Sequence, residues 1–308
     1  MGYNCSTAQY PMIGTTRIFY AGSCLVVIIC SLLFQGAFAV ACQRMKGWKS
    51  NFAYYLIQVM SFFGFLSYIG LLLSYIQGLL LFENTNLAKI TGSNYQGSFF
   101  SYVIANACLT THRLFYTLFP IKAQNILTAS VLKVCIILIF LFYISYMAFT
   151  LSPFASVMFC PAYFFFYVEE TQYGQLVYVM NQVSNFVVGV LNISAYCVIF
   201  GTLFLKGALT FKKNSEVRMT LHAAVVSLIE LLFFLYWEYS VAAVPSEIWK
   251  NVSDGYSILI YYDVLVLPYV VLNKRIMSEM KSIFCRHTST HFVKVAPAFV
   301  NTIQIRSL

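Results

Sequence analysis

Residues 18–42 read IFYAGSCLVVIICSLLFQGAFAVAC, a stretch without a charged side chain. About 20 predominantly apolar residues suffice to carry a helix across the hydrocarbon layer of a bilayer. This run is longer than that, too long for the apolar part of a cleavable signal. Arg44, Lys46 and Lys49 follow it at once. Basic residues concentrate on the cytoplasmic side of membrane spans. The first run therefore reads as a span that serves as its own insertion signal and leaves residues 1–17 outside.

Six further apolar runs follow, at 52–82, 90–111, 134–158, 176–205, 219–244 and 255–272. Together they predict an all-α membrane protein, a bundle of seven transmembrane helices over 18–273. Composition agrees with lipid as the main solvent. Hydrophobic residues make up 60% of the chain and charged residues 9%, against roughly a quarter charged in soluble domains. With seven spans, every Lys and Arg except Arg17, Lys89 and Lys250 falls on the cytoplasmic side. The net charge of +9 is thus spent on orientation, and nucleic acid is not an expected partner. The tail, 274–308, opens with an amphipathic stretch. Ile276, Met277, Met280, Ile283 and Phe284 share one side, and Lys274, Arg275 and Lys281 are placed for anionic headgroups.

The outer face carries the glycosylation sequons at Asn4 and Asn251. Six of the nine cysteines lie inside apolar runs and read as small hydrophobes. Cys5 and Cys160 fall outside them, on the oxidising side, and are the pair available for a disulfide there. Cys285, at the end of the amphipathic stretch, reads either as a palmitoylation site or as a plain tail thiol.

Polar side chains inside spans are costly, and they mark either a ligand site or interhelical hydrogen bonds. Tyr102, Asn106, Thr110 and Arg113 recur along one face of the third run, and Asn181, Asn185 and Asn192 along one face of the fifth. Trp237 and Glu238 in the sixth and Tyr262 and Asp263 in the seventh complete the set. The candidate ligand-binding residues are Tyr102, Asn106, Asn181, Asn185, Trp237, Glu238, Tyr262 and Asp263. Glu238 and Asp263 lie nearest the outer face, whereas Glu230 sits deeper and reads as structural. The four histidines have neither nucleophile nor metal ligands at useful spacing, and no phosphate-binding glycine loop is present. No enzymatic activity, metal or cofactor is expected.

The junction after the third run, THRLFYTLFP at 111–120, resembles the acid-Arg-Tyr motif of rhodopsin-like G-protein-coupled receptors, including the proline seven residues past the arginine. The end of the seventh run, LPYVVLNKR at 267–275, resembles that family's proline kink and the short helix behind it. His112 stands where the family has an acid, the second span has no aspartate, and no cysteine at the top of the third span is available to Cys160. Nematode serpentine chemoreceptors share such departures, the length, the short loops and the Phe/Tyr-rich spans, and the chain resembles that branch most.

The resemblance implies a chemosensory receptor in the plasma membrane, that of a sensory cilium included, for a small odorant- or pheromone-like ligand. It also implies coupling to a heterotrimeric G protein. Arg113, Pro120 and Pro268 take the activation roles. Glu216, the nearest acid at the cytoplasmic base of the bundle, reads either as the resting partner of Arg113 or as a solvated offset to Lys212, Lys213 and Arg218. A seven-span small-solute transporter and a ligand-gated channel subunit are the alternatives. The first requires matching Pro/Gly breaks in two halves, the second an N-terminus inside.

Overall fold

The computed structural model describes residue 5 and residues 12–45, 52–205, 215–240 and 247–285; at 124, 188, 215–223, 240, 247, 272 and 285 only the backbone is described. Among the described residues the regular structure is helical apart from one hairpin. α1 spans Gly14–Arg44, α2 Phe52–Leu80, α3 Thr85–Leu118, the short α4 Pro120–Ile126, and α5 Ala129–Leu151. Strands β1 (Val157–Cys160) and β2 (Phe165–Val168) follow. α6 (Gly174–Phe186) runs through a π-turn at Val187–Leu191 into α7 (Asn192–Leu205). α8 (Ser215–Leu235) ends in a second π-turn at Tyr236–Ser240. α9 (Glu247–Leu272) and α10 (Lys274–Cys285) close the described chain.

Local chemistry sets several of these boundaries. Asn84 caps α3 by accepting the Leu87 amide at 3.0 Å, satisfying one of the orphan N–H groups of a first helical turn. Pro120 occupies the first turn of α4, where its missing N–H costs nothing. Asn273 separates α9 from α10: its Oδ1 accepts from the Arg275 amide at 3.1 Å, and its Nδ2 donates to the Tyr54 hydroxyl at 3.0 Å.

Five of the described helical segments are long and apolar enough to cross a bilayer: α1, α2, α5, the continuous α6–α7 rod and α9. α5 shows what solvent they face. Only Leu132, Ile139, Tyr146 and Thr150 are buried along it, while Val134, Ile137, Leu138, Leu141 and Ile144 point outward and exposed. Water would not tolerate so continuous an apolar surface, and lipid does. The architecture is that of a multi-pass helical membrane protein. α3 stands apart because it is the central helix, packed against α2, α5, α7 and the hairpin. Surrounded by protein, it carries Ser93, Gln96, Ser98, Asn106, Thr110 and Arg113 buried, and its polar content follows from that position.

Three expected boundaries are corrected. The fourth apolar run, 134–158, does not remain helical: α5 stops at Leu151, ahead of Ser152 and Pro153, and residues 157–158 belong to β1. The seventh run begins earlier than expected, because α9 starts at Glu247. Asn251, expected on an external loop, therefore sits inside that helix with its side chain half-buried. Arg17, assigned to the external segment, lies within α1 and is buried. α10 follows its amphipathic pattern over most of its length, burying Ile276 and Met280 beside α1 and exposing Lys274, Arg275 and Lys281, but Phe284, expected on the apolar side, is exposed. Asn4 and the side chains of Glu216 and Cys285 lie outside the described residues.

Candidate functional site

One end of the bundle is roofed by the hairpin. Its strands pair antiparallel, Val157 opposite Val168 and Cys160 opposite Phe165, and residues 161–164 turn the chain. Phe164 adopts a positive φ of 56°, which costs a non-glycine residue about 1 kcal/mol or more. The ring of Phe164 holds the residue there, packed edge-on against Tyr20 at 5.3 Å and near Tyr75 at 5.6 Å.

Arg17 fastens the turn. Its guanidinium donates to the carbonyls of Met12 (3.2 Å), Pro161 (3.1 Å) and Gly78, and lies 5.3 Å over the Phe164 ring. Cys5 and Cys160, the two cysteines that the sequence leaves on the outer side, are joined in a disulfide with Cα atoms 5.6 Å apart. Gly92 of α3 lies so close under β1 that a Cβ there would meet the Val157 carbonyl.

Beneath this roof lies a cavity of about 490 Å³. α3 contributes Tyr95, Gln96 and Phe99, α6 contributes Asn181 and Asn185, the second π-turn Trp237 and Glu238, and α9 Lys250, Asn251 and Asp254. The π-turn explains how two consecutive residues both serve the cavity. Consecutive side chains of a regular α-helix diverge by about 100°, and the wider π-turn redirects the second of them. Trp237 thus packs 5.1 Å from Tyr261 and donates to Ser257 Oγ at 2.9 Å, while Glu238 accepts from Asn185 Nδ2 at 3.0 Å. Gln96 reaches Asn181 Oδ1 at 3.5 Å and itself accepts from the Tyr146 hydroxyl at 2.9 Å.

Of the residues singled out from sequence, Asn181, Asn185, Trp237 and Glu238 line this cavity, whereas Tyr102, Asn106, Tyr262 and Asp263 do not. Tyr102 and Tyr262 are buried below it in an aromatic layer. Phe99 and Trp237 form its upper edge; Tyr261 lies 5.9 Å from Tyr102, and Tyr262 lies 5.2 Å from it. Asn106 belongs to the next layer down. It donates to Oε1 of Glu230, whose Oε2 accepts from Asn192 Nδ2 at 2.8 Å, and Asn192 in turn accepts from Thr110 at 3.0 Å. Asp263 turns the other way, accepting from Gln35 at 2.9 Å, and Gln35 accepts from Ser61 at 2.7 Å. It ties α9 to α1 and α2.

Arg113 ends the column at the far end of the bundle. It is buried, and its Nε and Nη2 have no hydrogen-bond partner among the described residues. His112 beside it stacks on Phe52 with ring centroids 4.3 Å apart. Pro268 lies buried within α9, and Pro120 is exposed at the start of α4.

Sequence reasoning missed Tyr95, Gln96, Phe99, Asp254 and the hairpin residues. Tyr95 and Phe99 continue the Tyr102–Asn106 face at helical spacing, so that face, followed two turns further outward, leads to them. Nothing local announces the hairpin.

A second hollow of about 620 Å³ opens between α3, α5 and α6, lined by Val103, Ile104, Cys108, Cys135, Val183 and Val187 among others. It offers hydrocarbon contacts and few polar ones, whereas a selective site needs converging polar groups. The roofed cavity is therefore the candidate site. No family model matches the chain, and no curated protein matches it.

Proposed function

We propose that this protein is a chemosensory G-protein-coupled receptor of the nematode serpentine kind, binding a small external ligand in the cavity beneath the hairpin. In this reading α3 and α8 with its π-turn join the five long apolar segments as spans. The hairpin end is then outside, α10 lies along the inner membrane surface, and the membrane is the plasma membrane of a sensory cell. The basic residues gathered at the far end support that orientation, as does a disulfide at the hairpin end.

One observation carries the proposal. A single column of packed side chains joins the cavity to a buried arginine at the opposite end. It runs from Trp237 and Phe99 through Tyr261 and Tyr102 to Asn106, Glu230 and Asn192, and on to Thr110, which lies one turn before Arg113 on α3. A ligand that favours one arrangement of Trp237 and Glu238 shifts the population of the whole column. Opening of the far end then presents Arg113 to a heterotrimeric G protein, and Glu216 at the start of α8 is its proposed partner in the silent state.

The test is a ligand-evoked second-messenger response in cells expressing the chain, with and without a G-protein inhibitor. A response that disappears with the inhibitor and in Arg113→Ala supports the receptor. A ligand-evoked current, or solute uptake, indifferent to both changes would instead support a channel or a transporter.

A further inference from the structure

The charges lining the cavity do not cancel. Among the described lining residues the carboxylates are Glu238 and Asp254, and the cation is Lys250. Lys250 lies one helical turn before Asp254 on α9, and its charge acts on that carboxylate. Glu238 sits across the cavity on the second π-turn. Its described partner is the neutral amide of Asn185, which orients the carboxylate and adds no charge. The described lining thus carries one excess formal negative charge beneath a roof of protein.

The remaining walls suit a cation as well. Tyr95, Phe99, Phe166 and Trp237 share the cavity with Glu238, and aromatic faces attract cations through their quadrupole. Roofing by the hairpin keeps the surroundings of lower dielectric than water, which strengthens a charge pair formed inside. A carboxylate ligand would meet two carboxylates against a single lysine, and a neutral one would leave Glu238 without a counter-charge.

We infer that the ligand of this cavity is a small organic cation, an ammonium on an apolar skeleton, with its charge paired to Glu238 and its skeleton against the aromatic wall. The inference deepens the receptor reading in that it takes the same cavity as the ligand site.

The experiment uses the full chain, purified with its disulfide intact and held in lipid nanodiscs. Phenylethyl, indolylethyl and pentyl skeletons are each supplied with an ammonium, a hydroxyl or a carboxylate end, and binding is read as concentration-dependent thermal stabilisation. Ammonium members are expected to stabilise the wild-type chain at concentrations where their hydroxyl and carboxylate counterparts do not. Glu238→Gln, which keeps an acceptor for Asn185, is expected to weaken ammonium binding about 30-fold. Asp263→Asn, a carboxylate outside the cavity, leaves it within about twofold.

The ranking of the nine compounds on the wild-type chain needs no variant, so a poorly folding Glu238→Gln leaves the inference testable. Hydroxyl or carboxylate members that stabilise as well as the ammonium ones would overturn it. So would a panel in which no ammonium member binds, or an ammonium preference that survives Glu238→Gln. Ammonium binding without any G-protein response upholds this inference and fails the receptor reading. A G-protein response evoked solely by neutral or anionic compounds does the reverse.

Discussion

Replacing Asn192 by leucine removes the hinge of the polar layer in mid-bundle at nearly constant volume. Two hydrogen bonds are lost, from Asn192 Nδ2 to Glu230 at 2.8 Å and from Thr110 to Asn192 Oδ1 at 3.0 Å. Interhelical hydrogen bonds within membranes average about 0.6 kcal/mol and reach about 1.7, so the pair contributes about 1–3 kcal/mol. The upper half of that range applies here, because Glu230 is fully buried and keeps just the Asn106 contact among its described partners. Stranded buried acceptors are expensive.

Equilibrium unfolding of the purified chain in mixed micelles, followed by tryptophan fluorescence, measures the loss. Asn181→Leu provides the comparison: the hydrogen bond of its side chain among the described residues is the long 3.5 Å approach of Gln96, and its cost is expected below about 0.5 kcal/mol. Thr110→Val should cost about 0.6 kcal/mol in the wild-type chain and close to nothing once Asn192 is leucine, since its acceptor is already gone. A loss in Asn192→Leu no larger than that in Asn181→Leu, or strict additivity with Thr110→Val, would refute the layered network.

Gly92→Ala would drive a methyl into the Val157 carbonyl; it is expected to lift the hairpin and destabilise the chain by about 1–3 kcal/mol, with faster amide hydrogen exchange at residues 157–168. Cys160→Ser should expose the Cys5 thiol to a membrane-impermeant maleimide on intact cells, and unchanged labelling would argue against the bridge. Arg113→Ala should keep ligand-induced thermal stabilisation while abolishing the G-protein response, separating the two ends of the column.

Much of the helical framework was legible because bilayer thickness imposes a length on apolar runs. The first, second and fifth runs, 18–42, 52–82 and 176–205, fall on α1, α2 and the α6–α7 rod to within a few residues. The fourth run ran on into β1 because Val157 and Met158 are as apolar in a strand as in a helix, and hydropathy does not distinguish the two. The start of α9 was read too late for the opposite reason. Lys250, Asn251 and Asp254 look like loop, yet they face a polar cavity, and a helix end facing polar surroundings has no need of apolar residues.

Sequence alone determined that this chain lives in a membrane, where its apolar segments lie, and that intrahelical polar residues such as Asn185, Glu230 and Glu238 must face inward. Each follows from a local cost, that of exposing a polar group to hydrocarbon. Which inward residues meet was decided by the tertiary structure alone. Glu238 and Asp263 look alike in sequence, acids in neighbouring runs at similar depth. One is turned into the roofed cavity by a π-turn, and the other is turned toward Gln35 between α1 and α2. Helix rotation and the π-turns follow from packing between segments far apart in the chain, such as Gly189 against the Phe234 ring. No periodicity within one segment encodes the shape of its neighbour.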